Sequence, residues 1–232
     1  SQLAPLNFER CELLFVGTKK FAQEIEKQAT WRTFQKTHSA RWVESVLGRG
    51  RQLNAGAENA DTGCLWFLHI DSDLNQEAIE EVCNFSIQPK NEIRFFRLLF
   101  TRPAPRAIFL TELFLLLRAN VLRIPFGDQG LWMPKSVFLR LGGFCESTAY
   151  GEDHLLIWKS HQLKIPVRAF RGTIETSPRK YEQNGWIKTT VLHQYLTWKQ
   201  ALPEFSKLLL TQGGGSTNAC SGGKHRRRSK NS

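Results

Sequence analysis

Two short apolar runs constrain this chain more than any other feature: residues 11–16 (CELLFV) and 64–70 (CLWFLHI). Each is long enough for a buried strand and too short for a helix. Between them, residues 18–34 (TKKFAQEIEKQATWRTF) place Phe21, Ile25 and Ala29 at four-residue spacing with Thr18 positioned to cap, which predicts one amphipathic helix. A further short strand is expected at 41–46, followed by a Gly/Arg loop (LGRGRQLNAG) and a small-residue helix (AGAENAD). After the second run, Asn75 is expected to cap a helix carrying Ala78, Ile79, Val82 and Cys83. Strands alternating with helices in this way predict an α/β fold built on a parallel sheet.

The second half departs from that rhythm. A strand is expected at 92–100, an apolar helix at 107–122, and a strand, short helix and Gly-Gly turn within GDQGLWMPKSVFLRLGGF. Glu152 and Asp153 then open a helix, 167–176 read as a strand, and two closing helices are expected at 186–201 and 203–210. No linker interrupts residues 1–212, which are expected to form one domain. Residues 213–232 run from Gly/Ser to clustered Arg and read as a disordered tail, since such a segment buries too little apolar surface to order itself. That tail holds five of the 32 Lys and Arg residues and none of the 21 acidic ones, so the body is only mildly basic. No specific nucleic-acid binding is expected.

A chain that is 41% hydrophobic and 11% aromatic is not wholly disordered. Its longest apolar run, 108–117, is broken by Thr111 and Glu112 and falls short of the roughly 20 residues of a membrane span. The first residues lack the layout of a secretory signal, which predicts a cytoplasmic protein. Arg106, Arg118 and Arg123 at the ends of the 107–122 helix leave peripheral attachment to the inner membrane face open. The five cysteines are spread out and never in CxxC spacing, against both a disulfide framework and a zinc site.

Chemistry concentrates where the second apolar run ends in Asp71-Ser72-Asp73. The carboxyl end of an inner strand is where open α/β sheets bind ligands, and residues i and i+2 of an extended segment face the same side. Asp71 and Asp73 can therefore offer oxygens together to Mg²⁺ or Mn²⁺, which in turn bridges a nucleotide diphosphate. A solvated turn is the alternative. Arg49, Arg51 and Asn54 stand among glycines just before a helix, a setting suited to phosphate or simply to an exposed basic turn. Glu152 and Asp153 lie at a helix start, where a catalytic base and an ordinary acidic first turn look the same from spacing.

Five segments in order, GRGRQLNAGA, LWFLHIDSDL, PFGDQGLWMPKSVFLRLGGF, YGEDHLLIWKSHQL and ETSPRKYEQNGW, resemble the family 2 glycosyltransferases of GT-A fold. The similarity is to the small soluble bacterial subgroup with LHADT-like and GDQ motifs, and it covers roughly residues 9–200. It implies a Rossmann-like, mostly parallel central sheet flanked by helices. It also implies an inverting, metal-dependent transfer of a sugar from a nucleotide-diphosphate donor, most often a UDP-sugar, to an unidentified acceptor, lipid-linked ones included. By resemblance, Asp71 and Asp73 match the metal-binding DxD, with Asp73 the direct ligand of Mn²⁺ or Mg²⁺ and Asp71 nearer the ribose. Asp153 matches the general base and Glu152 flanks it. Gly127, Asp128 and Gln129 match the GDQ segment on the acceptor side. Arg179 and Lys180 fall where relatives carry a basic pair facing the donor diphosphate, and Arg49, Arg51 and Asn54 join them as donor-binding candidates.

The chain also departs from that pattern. The family's first strand, of the type VSVIIPTLNE, has no counterpart, and after CELLFVG come Thr18-Lys19-Lys20 where relatives have an aspartate and a GSTDGT-like turn. A noncatalytic GT-A-like binding module with an incomplete nucleotide site is therefore the alternative function. A nucleotidyltransferase is disfavoured, because no Gly-rich loop follows the first strand.

Overall fold

A computed structural model describes residues 11–69, 72–100, 113, 118–119, 123–176 and 186–212. The first apolar run becomes strand β1 (Leu13–Gly17), paired in parallel with β2 (Ala40–Glu44) in a two-stranded sheet. The second becomes β3 (Cys64–Phe67), the edge of a five-stranded sheet ordered β3-β6-β5-β7-β4. Its other members are β4 (Asp73–Leu74), β5 (Ile93–Phe100), β6 (Leu131–Pro134) and β7 (Val167–Thr176). The expected parallel pairing appears at β1–β2 and β5–β7, while β3–β6, β5–β6 and β4–β7 run antiparallel. The sheet is thus mixed, with β6 reversed between β3 and β5.

Side-chain alternation on β5 and β6 builds two cores, one on each face. Ile93, Phe95, Leu131 and Met133 point to one face, where α3 (Arg49–Asn59), α5 (Lys135–Leu141) and α6 (Glu152–Gln162) supply Ala57, Phe138, Leu141, Leu156 and Ile157. Phe96, Leu98 and Trp132 point to the other, against Ala78, Ile79 and Val82 of α4 (Gln76–Ile87). As expected, Asn75 caps α4, its side chain accepting the Ala78 N–H at 2.8 Å.

Several expectations are corrected. The single helix at 18–34 is two, α1 (Lys19–Ile25) and α2 (Ala29–Thr37), and Thr18 makes no side-chain cap bond. Phe21 is largely exposed, and Ala22 is the residue α1 buries. The expected Gly/Arg loop is helical: α3 begins at Arg49, directly after Gly48. Gly50 marks close approach rather than a turn, since a Cβ on it would lie 2.6 Å from the Cys145 carbonyl oxygen, whereas Gly48 has a φ of +137°. The two closing helices are one, α7 (Trp186–Gln212), with Pro203 inside it. The missing proline N–H costs one helical bond, but α7 is docked on α6 on both sides of that point. Gln200 meets His154, and Glu204 and Phe205 meet Gln162 and Trp158.

Most of the expected 107–122 helix and all of the 213–232 tail lie outside the described residues. Among the described residues, no helix is long and apolar enough to cross a membrane.

Candidate active site

The site is assembled at the start of α6, where Gly151 in the left-handed region turns the chain so that Glu152 and Asp153 both fold inward. Their side chains are 4% and 7% exposed. Acids in a first helical turn gain from the dipole, but two buried carboxylates need a cation as well. Arg49, the first residue of α3, supplies it: its Nη1 lies 2.7 Å from Glu152 Oε1 and its Nη2 3.5 Å from Asp153 Oδ2. The Arg49 side chain remains 42% exposed, so the guanidinium stands between the carboxylates and solvent.

Asp153 is anchored further by backbone. Its Oδ2 accepts the Gly127 N–H at 2.5 Å, and its Oδ1 accepts the His154 N–H at 2.7 Å. Gly127 is required by this approach: a Cβ there would sit 2.5 Å from Asp153 Oδ2 and 2.6 Å from Arg49 Nη2. Gly127 opens the 3₁₀ turn Gly127–Gln129 that leads into β6. The turn is held by Gln129, whose amide donates to the Phe96 carbonyl at 3.0 Å while its oxygen accepts the Phe126 N–H at 3.0 Å. The Arg118 guanidinium lies 3.3 Å over the Phe126 ring and 3.5 Å from the same Gln129 oxygen.

Asp128, between them, has a buried Oδ1 with no hydrogen-bond partner. Burial, and then the neighbouring Asp153 carboxylate, push its pKa up to about 6, against the opposing pull of Arg118 and Arg49. His154 is held neutral by comparison. Its Nε2 accepts the Trp158 indole N–H at 2.9 Å, which leaves Nδ1–H to donate to Gln200 Oε1 at 3.2 Å. Burial lowers its pKa from the ordinary imidazole value, so it serves as a strut between α6 and α7 rather than a proton carrier.

The link to the end of β3 runs through Arg49, whose Nη2 also donates to His69 Nε2. His69 stands two residues before Asp71. The acids of α6 and His69, just past the end of β3, therefore flank one guanidinium. Asp71, Arg179 and Lys180 lie outside the described residues. Asp73 begins β4, its backbone opposite Glu175 of β7.

The remaining candidates separate. Arg51 is exposed on the outer side of α3. Asn54, expected to bind donor, has its amide engaged inside the fold. It donates to the Phe144 carbonyl at 3.0 Å and to Glu146 at 2.9 Å, and accepts the Phe144 N–H at 2.8 Å. Gln129 is likewise buried, bonded to the backbone of Phe96 and Phe126. Sequence reasoning missed His69, Arg118 and Gln200. Gln200 carried no local signal, being 46 residues from its partner.

No protein-family model matches the chain, and no curated protein matches it. Solved structures do. Residues 1–349 of S. aureus TarS in complex with UDP-GlcNAc superpose with a TM-score of 0.52 at 14% identity, over 76% of this chain and 52% of that one. The mannosyltransferase PcManGT from Pyrobaculum calidifontis, in complex with GDP-Man and Mn²⁺, gives a TM-score of 0.56 at 15% identity, over 91% and 63%. The fold is that of the GT-A glycosyltransferases. The chain spans about half of that TarS fragment and under two thirds of PcManGT. At such identity the likeness speaks for architecture, and chemistry has to be argued from the residues.

Proposed function

We propose that this GT-A chain transfers a sugar, with inversion, from a nucleotide-diphosphate donor, most simply a UDP-sugar, to an acceptor hydroxyl. The observation that carries the reading is Arg49, which touches Asp153, Glu152 and His69 at once and so joins the proposed base to the residue just past the end of β3. Among the described residues no group of His, Cys, Asp and Glu forms a metal cluster; Asp71 is not one of those residues. Two carboxylates one residue apart are a fitting donor set for a hard cation, so Asp71 and Asp73 would hold Mn²⁺ or Mg²⁺. When bound, the cation offsets charge on the departing diphosphate.

The chain's own residues do the rest. Asp153 takes the proton from the acceptor hydroxyl, the oxygen forms its bond to the anomeric carbon, and the carbon–phosphate-oxygen bond breaks to release nucleoside diphosphate. The two backbone N–H groups on Asp153 fix the direction in which its carboxylate faces. Glu152 holds Arg49 in place. Arg49, with Arg179 and Lys180, would meet the donor's phosphates.

The test is turnover of UDP-sugars and GDP-mannose with Mn²⁺, followed by mass spectrometry. Asp153→Asn should lower transfer about a hundredfold or more while Kd for the nucleotide holds, and Asp73→Asn should abolish both metal-dependent binding and transfer. Equal turnover by wild type and Asp153→Asn would overturn the assignment. One observation favours a second reading, a noncatalytic binding module: Asp153 is already ion-paired to Arg49 in this state. Calorimetric binding of UDP and Mn²⁺ with no turnover of any donor would select it.

A further inference from the structure

Strand β7 does not run in step with β5. Phe95 faces Ala169 and Arg97 faces Thr173, so the single residue Phe96 is opposed by Phe170, Arg171 and Gly172. Extra residues in one strand of a ladder leave backbone groups without strand partners. Glu81 of α4 takes the N–H groups of this bulge. Its two carboxylate oxygens accept the Arg171 N–H at 2.9 and 3.0 Å, and Oε2 also accepts the Gly172 N–H at 2.9 Å. Arg97 holds the carbonyl side, its Nη2 donating to the Arg171 oxygen at 2.9 Å. Hydrogen bonds to an ionised partner are about twice as strong as neutral ones, so the bulge has a firmly fixed shape. Phe170 stacks on Phe96 at 4.5 Å with both rings buried, and the bulge cannot slide without disturbing that core.

Beyond the bulge, β7 carries β4: Ile174 faces Leu74 and Glu175 faces Asp73. β4 is two residues long, lies at the edge of the sheet and has β7 as its one strand neighbour. Where the Asp73 backbone stands is therefore set by which residues of β7 lie opposite it. A slip of one residue would turn Ile174, which is fully buried, to the other face. The same segment meets β7 a second time, because Asn75 caps α4 and Glu81 stands further along that helix. The stretch from Asp73 to Glu81 is thus tied to β7 at both ends. We infer that Glu81 is a positioning residue for Asp73, holding the β7 bulge so that β4 keeps its register and Asp73 its place at the divalent cation, which rests on the reading of Asp73 as a metal ligand. Glu81 acts through the backbone, since both its oxygens are engaged there.

Electron paramagnetic resonance of free Mn²⁺, titrated with the full chain in the presence of UDP below the melting range of every variant, tests this without turnover. Glu81→Ala should weaken Mn²⁺ binding about tenfold or more, as loss of a group that braces a metal ligand does. Two conservative variants separate bonding from charge. Glu81→Gln can place its amide oxygen where Oε2 accepts both N–H groups and should recover most of the affinity. Glu81→Asp keeps the charge but is one methylene too short, and should bind as weakly as Glu81→Ala. That ordering decides the matter even where Glu81→Ala does not fold. Val82→Ala, a truncation in the core beside Glu81, should lower Tm and leave Mn²⁺ affinity unchanged. Wild-type affinity in Glu81→Asp would overturn the inference. An equal loss in Val82→Ala would overturn it too, reducing Glu81 to a stability contact. Mn²⁺ binding by wild type that Asp73→Asn abolishes keeps the metal reading standing whatever Glu81 does; no Mn²⁺ binding by wild type would sink that reading and the role of Glu81 with it.

Discussion

The two ends of α3's first turn face opposite kinds of environment. Arg49 reaches into a compact cluster of buried charges, whereas Gln52 borders a wide aromatic hollow. In the first region, acids are kept buried by backbone N–H groups and one arginine, so small changes of shape are expensive. In the second, surface is left uncovered, so side chains can change without strain. Tight polar packing and loose apolar packing thus meet on one helix.

That contrast can be broken most strongly at Gly127. Gly127→Ala puts a methyl group 2.5 Å from Asp153 Oδ2, and thermal unfolding should show a loss of about 3 kcal/mol from overpacking a buried polar contact. A Tm within a degree of wild type would mean that the cluster is far looser than described. A smaller effect of opposite sign is expected at Asp128. Its folded pKa near 6 lies above its ordinary 3.8, so the folded chain keeps a proton that the unfolded chain releases. The stability this gives is complete below about pH 4 and is lost as pH rises through 6. Asp128→Asn should therefore flatten the stability profile between pH 4 and 6.5 and stabilise the protein at pH 7.5 by about 1–3 kcal/mol, measured by urea denaturation at several pH values. A destabilised variant at pH 7.5 would show that Asp128 works there as a carboxylate. The smallest change belongs to the open region: Leu47→Ser should shift unfolding by less than about 0.5 kcal/mol, because that side chain is mostly in water already. A loss several times larger would mean that the hollow is closed in solution.

Local pattern made much of the architecture legible. The apolar runs became β1 and β3, Asn75 capped α4, and strand β7 spans 167–176 as expected, because strand length and cap chemistry are decided by near neighbours. Glycine and proline misled where their reason was distant. Gly50 looked like a turn and is a contact with Cys145, while Pro203 looked like a helix end and sits inside α7 because α6 holds both flanks.

The same division runs through the site. Sequence alone set out which residue types are available: Asp153 beside Glu152 at a helix start, glycine ahead of Asp128, and an arginine at position 49. Only the tertiary structure decided that Arg49 crosses 104 residues to meet Asp153, that Asn54 and Gln129 are consumed as braces, and that five rings enclose a hollow. The reason is physical: a residue's chemical capacity is local, but whether its polar atoms are free, paired or buried depends on surfaces brought together only when the chain closes on itself.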